Sequence, residues 1–169
     1  MKRKMYIDVD GVLIVWDAEH NCVELSRGYG RLMRFCALHD IRPLWLTGWS
    51  KAPADHLTAL GRMLWPDHCP TMAAPEIIDY GDGPKAAAVD YDSDFVWIED
   101  GLGPEDVAIL REHDALDRFF WTDGVDGDCL LKFIAFTSEK MGLPEIDDWG
   151  PACDSHFARP RDPSTRPGA

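Results

Sequence analysis

Residues 5–12 read M-Y-I-D-V-D-G-V, and this stretch restricts the folds open to the chain more than any other. Met5, Tyr6 and Ile7 make a short apolar run suited to a buried strand. Asp8 and Asp10 follow at its C-terminal end, with Val9 directed to the opposite side by the two-residue period of a strand. Gly11 then lets the chain turn sharply out of the sheet. Two carboxylates at one strand tip repel each other, and the arrangement is costly unless a cation or a proton lies between them.

The rest of the chain supplies partners for that strand. At 169 residues it is long enough for one domain with a sizeable core. The first strand runs from about Lys4 to Asp10. Val12 to Trp16 and Asn21 to Leu25 read as a hairpin around residues 17–20, standing over the strand tip. Ser26 is placed to cap a helix from Arg27 to His39, and residues 40–43 read as a turn. Leu44 to Thr47 is a second buried strand ending at Gly48. A short helix over Asp55 to Leu64 is broken by residues 66–70, and a weak strand follows near Thr71 to Ala73. Lys85 precedes a small helical run, Ala86 to Val89. Phe95 to Ile98 is a third strong strand, ending in Glu99-Asp100-Gly101. A helix over Pro104 to His113, a strand over Phe119 to Thr122 and a helix over Cys129 to Met141 complete the pattern. Strands alternating with helices predict an α/β domain, Rossmann-like, with a mainly parallel sheet flanked by helices. Residues 1–143 form this domain. Residues 144–169 are a proline-rich tail, expected to be partly docked through Trp149 and Phe157 and otherwise disordered.

In such a sheet, ligands bind beyond the carboxyl ends of the strands. Asp8, Asp10, Thr47, Glu99 and Asp100 all fall there. Asp8 is the candidate nucleophile, because a carboxylate can attack phosphorus and divide one hard displacement into two easier steps. Asp10 is placed to protonate the leaving oxygen and later to take a proton from water. Asp100, with Glu99 beside it, adds carboxylates to the same edge, and such a group calls for a hard cation with oxygen ligands, magnesium above all. The Thr47 hydroxyl and the Gly48 N–H suit phosphate oxygens. Lys85 offers positive charge, with Lys51 as a competing cation. Trp49 follows a glycine at the expected mouth and is a candidate substrate contact, whereas Trp45 and Trp97 read as core. Asp123, Asp126 and Asp128 read as an acidic loop, with a second cation site as the other reading.

These residues resemble the motifs of the haloacid dehalogenase superfamily of aspartyl-phosphate hydrolases. The matches are D-V-D-G-V at 8–12, P-L-W-L-T at 43–47, Lys85, and F-V-W-I-E-D at 95–100, in order across residues 4–141. The resemblance implies Asp8 as nucleophile and magnesium ligand, Asp10 as acid/base and ligand through its backbone carbonyl, Asp100 as a third ligand and Glu99 as an outer group. It implies that the hairpin is the family's flap. W-L-T-G-W at 45–49 with W-I-E-D at 97–100 is similar to the small domains of this superfamily in "Swiss Army Knife" RNA-repair proteins, which implies a phosphatase for nucleic-acid ends. The gaps from Asp10 to Thr47 and from Thr47 to Lys85, 37 and 38 residues, leave no room for a large cap domain. An open site admits a phosphate on a large molecule. A small substrate would need to be gripped by the hairpin and nearby loops, through Trp16, His20 and Trp49.

The expectation is therefore a magnesium-dependent phosphomonoester hydrolase acting on a macromolecular, nucleotide or nucleic-acid-end phosphate. A net charge of -13 argues against a general nucleic-acid groove or an anionic membrane surface. The odd, scattered set of five cysteines without C-x-x-C argues against a zinc site or disulfide framework and for a reducing cytoplasm. The basic start lacks a signal-peptide core, and no run is long enough to span a membrane. The alternative is a non-catalytic relative that binds a phosphorylated partner or acts as a regulatory module. A receiver-like phosphoacceptor is disfavoured, because a second acidic pair lies after the lysine.

Overall fold

The computed structural model describes residues 2–17, 22–58, 76–124, 128–144 and 146. The expectations for His20, the side chain of Trp16, the helix beyond residue 58, the strand at 71–73, Asp126 and nearly all of the tail, with Trp149 and Phe157, lie outside the described residues.

The fold is α/β, built on five parallel strands: β1 (Arg3–Ile7), β4 (Ile41–Trp45), β5 (Glu76–Ile77), β6 (Asp94–Glu99) and β7 (Phe119–Trp121). Their order is β5-β4-β1-β6-β7. β2 (Ile14–Asp17) and β3 (Cys22–Leu25) form a separate antiparallel hairpin. The helices are α1 (Tyr29–Leu38), α2 (Pro104–Glu112) and α3 (Cys129–Met141), with 3₁₀ turns at Gly48–Lys51, Lys85–Ala88 and Leu116–Arg118. Residues 54–58 are also helical. Among the described residues no helix is long and apolar enough to cross a membrane.

β1 is central, which is why Met5, Tyr6 and Ile7 are all apolar and all buried: both faces of a parallel sheet are covered. On one face Met5, Ile7, Val96 and Ile98 pack with Leu32 and Phe35 of α1 and with Leu130 and Phe133 of α3. On the other, Tyr6, Leu44, Phe95 and Trp97 pack with Ala86, Val89 and Leu110. Trp45 and Trp97 are core residues, as their sequence setting suggests. The chain moves from β1 outward to β4 and β5, then returns across the sheet to β6 and β7. The order therefore reverses between β1 and β6, and the crevice above that junction is the ligand position in folds of this kind.

Local departures from the expected elements have clear causes. Val12 and Leu13 are not strand residues. They belong to a tight turn in which the N–H groups of Leu13 and Ile14 donate to the Val9 carbonyl, each at 2.9 Å, and both side chains are buried. Ser26 does not cap α1. The helix starts two residues beyond Arg27, Gly28 holds the cap position with φ 89°, and the Ser26 hydroxyl donates to the Val12 carbonyl instead. β4 begins at Ile41 rather than Leu44. Asp40, with φ 52°, makes the turn, and Pro43 pairs with Met5 of β1, while among the described residues β5 pairs with Leu44 and Trp45. β5 itself was not expected. Its two residues carry too little pattern to read.

Ser26→Ala should lower stability by about 1–2 kcal/mol, because it leaves the buried Val12 carbonyl with only a distant thiol contact from Cys129 at 3.9 Å. The helical circular dichroism of the folded protein should be unchanged, since Ser26 is not the cap. Urea titration with far-ultraviolet detection checks both statements.

Candidate functional site

The strand ends place the polar residues level with one another. In the pairing of β1 with β6, Ile7 lies opposite Ile98, and the Asp8 N–H donates to the Ile98 carbonyl at 3.1 Å. Asp8 and Glu99 thus emerge side by side above the β1/β6 junction. Asp8 is 4% exposed and Glu99 2%. Lys85 opens the 3₁₀ turn on the adjacent face and reaches both. Its Nζ lies 2.8 Å from Asp8 Oδ1 and 2.6 Å from Glu99 Oε2.

Asp100 follows at the surface. One carboxylate oxygen each from Asp8, Glu99 and Asp100 lie within 4.8 Å of one another. The Asp100 carboxylate is wedged against backbone that leaves no room for side chains. A Cβ on Gly11 would stand 2.2 Å from Asp100 Oδ2, and one on Gly124 would stand 3.3 Å from it. Gly11 also has φ 70°, so both space and conformation require glycine there.

Asp10 stands apart from this group. It is exposed, beyond the strand end, and its Oδ2 accepts a hydrogen bond of 2.7 Å from the indole N–H of Trp49. Thr47 is fully buried, and its hydroxyl accepts from the Trp49 backbone N–H at 3.4 Å, capping the turn Gly48–Lys51. Among the described residues no hydrogen bond joins Thr47 to the acidic group. Gly48 is exposed at the start of that turn. Lys51 points elsewhere, to Asp82 at 3.8 Å and over the Tyr80 ring at 4.8 Å. Lys85 is therefore the lysine at Asp8. Sequence reading missed Asp106 and Tyr91, which hold the turn that carries Lys85. Asp106 accepts from the Ala86 N–H at 2.8 Å and the Gly103 N–H at 3.2 Å, and the Tyr91 hydroxyl donates to the Ala86 carbonyl at 2.9 Å. Asp106 stands two residues after Pro104 in the first turn of α2, which was a readable capping signal. Tyr91 carried none.

The electrostatics follow from burial. Desolvation pushes the Asp8 carboxyl above the ordinary range, while the Lys85 charge and hydrogen bond oppose it and Asp100 adds to it. Desolvation, reinforced by the charge on Asp8, pushes Glu99 up to about 9 despite Lys85. Burial alone would lower the pKa of Lys85, but Asp8 and Glu99 outweigh it and the net shift is upward. The group holds three carboxylates and one ammonium, which contacts two of them. The surplus negative charge is relieved either by a proton on Glu99 or by a cation. The donors are all hard carboxylate oxygens, which suits magnesium or calcium and not a thiolate-seeking metal.

No family model, no curated protein and no solved structure matches this chain.

The sign of the resulting pH dependence is definite. Glu99 holds a proton in the folded state up to about pH 9 and loses it near the ordinary glutamate value when unfolded, so its environment costs increasing stability as pH rises through that window. In the presence of a chelator, Glu99→Gln should therefore be close to wild type at pH 4.5 and progressively more stable than wild type towards pH 9. Urea midpoints of the two proteins at several pH values measure this. A difference independent of pH would show that Glu99 binds its proton equally in the folded and unfolded protein.

Proposed function

We propose that this chain is a phosphomonoester hydrolase of the haloacid dehalogenase type, using magnesium and an aspartyl-phosphate on Asp8. The observation that carries the reading is the meeting of Asp8, Lys85, Glu99 and Asp100 at the point where the strand order reverses.

Lys85 engages Asp8 Oδ1, which leaves Oδ2 as the attacking atom and holds the carboxylate in one orientation. Attack forms the Oδ2–P bond as the ester P–O bond breaks, and Asp10 gives its proton to the leaving oxygen. Water then attacks the phospho-Asp8, Asp10 takes the proton, and inorganic phosphate and free Asp8 result. Asp8, Asp100 and Glu99 are the residues that would hold the cation. Bound there, magnesium would screen the charge of the phosphate from that of the nucleophile. Lys85, itself bonded to Glu99, also fixes Asp8. Gly48 is exposed at the start of its turn, and its N–H would serve a phosphate oxygen. Thr47 supports the turn that presents it.

The substrate class follows from access. Asp10 and Asp100 are exposed, and the short gaps between motifs leave no length for a large cap. The reading is a phosphate carried on a nucleotide, a nucleic-acid end or another large molecule, held at its terminus rather than along a groove. The odd, scattered set of five cysteines without C-x-x-C fits a reducing, cytoplasmic setting.

Phosphate release from aryl phosphate, nucleotides, sugar phosphates, and RNA or DNA with 3′- or 5′-phosphate ends tests the reading. Release should require magnesium, vanish in Asp8→Asn and fall about 10²- to 10⁴-fold in Asp10→Asn. A folded protein that binds magnesium but hydrolyses none of these esters would instead be a phosphate-binding module.

A further inference from the structure

Trp49 has a partner within the protein. Its indole N–H lies 2.7 Å from Asp10 Oδ2, so that donor is not free for substrate. The residue is also held at its backbone. Its N–H donates to Thr47 Oγ1, its carbonyl accepts from the Ala52 N–H at 2.9 Å, and the Ser50 N–H returns to the Thr47 carbonyl at 3.1 Å. The half-buried ring packs against the core face formed by α1 and α3. A hydrogen-bonded turn after β4 thus delivers a donor to the carboxylate that lies past the end of β1.

Asp10 needs such a donor. It lies past the end of β1, exposed, next to the left-handed Gly11. An exposed carboxylate samples several rotamers, and a proton transfer requires one of them. The chemistry of the indole also decides which oxygen acts. Indole N–H is a donor only, so Oδ2 must face it as an acceptor. The transferable proton is then confined to Oδ1.

We propose that Trp49 is a positioning residue for Asp10. It holds Oδ2 so that Oδ1 delivers the proton to the leaving oxygen and later receives one from water. This rests on the phosphatase reading above. The proton moves from Asp10 Oδ1 to the ester oxygen as its bond to phosphorus breaks and the bond from Asp8 Oδ2 forms.

The consequence depends on the leaving group. An alkoxide must be protonated as it departs, whereas nitrophenolate leaves without a proton. The test measures kcat of the full chain at saturating magnesium with β-glycerol phosphate and with p-nitrophenyl phosphate, for wild type, Trp49→Phe, Asp10→Asn and the double variant. Trp49→Phe keeps an aromatic ring and removes the N–H. Its alkyl-to-aryl kcat ratio should fall about tenfold below wild type. Asp10→Asn should lower the ratio further, and adding Trp49→Phe to it should change nothing more. Because the ratio is taken within one preparation, partial unfolding cancels. An unchanged ratio, whether both rates fall together or only KM rises, would overturn the proposal and make Trp49 a packing residue or a substrate platform while leaving the phosphatase reading intact. Ratio losses that add in the double variant would overturn it in the same way. Absence of magnesium-dependent release lost in Asp8→Asn, already in the wild-type background, would instead overturn the phosphatase reading and this proposal with it.

Discussion

The ammonium of Lys85 lies between two buried carboxylates, and the site depends on it. Asp8 and Glu99 are taken almost wholly out of water at the end of adjacent strands. An unpaired buried carboxylate costs several kcal/mol even after relaxation. One cation within 3 Å of both offsets much of that penalty, but a single positive charge cannot balance three negative ones. Burial first, and the neighbouring carboxylates after it, shift both buried acids upward. A site left in this condition favours a proton on one of its acids, and under the proposed phosphatase reading the same imbalance is what a divalent cation would relieve.

That ammonium is placed by parts of the chain far from it in sequence. The turn that begins at Lys85 is short and gains little from its own hydrogen bonds. Asp106, from the first turn of α2, and Tyr91, from the loop before β6, each take one backbone group of Ala86. Glycine does comparable work on the acidic side. Gly11 turns the chain out of β1 in a left-handed conformation and lets Asp100 approach closer than any side chain would allow.

Much of this arrangement was legible from local pattern. The central strand, the strong strand ending at Glu99, the limits of the last helix and the alternation of strands with helices follow from continuous apolar runs and helical spacing. Local pattern did not show which partner each polar side chain takes. Ser26 is a good helix cap by type, yet its hydroxyl goes to Val12 in the turn beneath the hairpin. Thr47 reads as a strand-end hydroxyl suited to a phosphate oxygen, and in the fold it is buried and caps the following turn. Trp49 looks like a surface ring at a mouth, yet its N–H is committed to Asp10.

The sequence by itself determined the class of fold and the inventory of the site. Hydrophobic period, the aspartates after the first strand and the acids after the third strong strand are properties of short segments, and short segments carry their own periodicity and turn chemistry. Only the tertiary structure decided which of these residues meet. That Lys85 rather than Lys51 reaches Asp8, that Glu99 faces inward beside it, and that Trp49 holds Asp10 depend on strand order and register. Trp49 and Asp10 are 39 positions apart and Lys85 and Asp8 are 77 apart, so these contacts are set by how the sheet is assembled, and no local pattern encodes them.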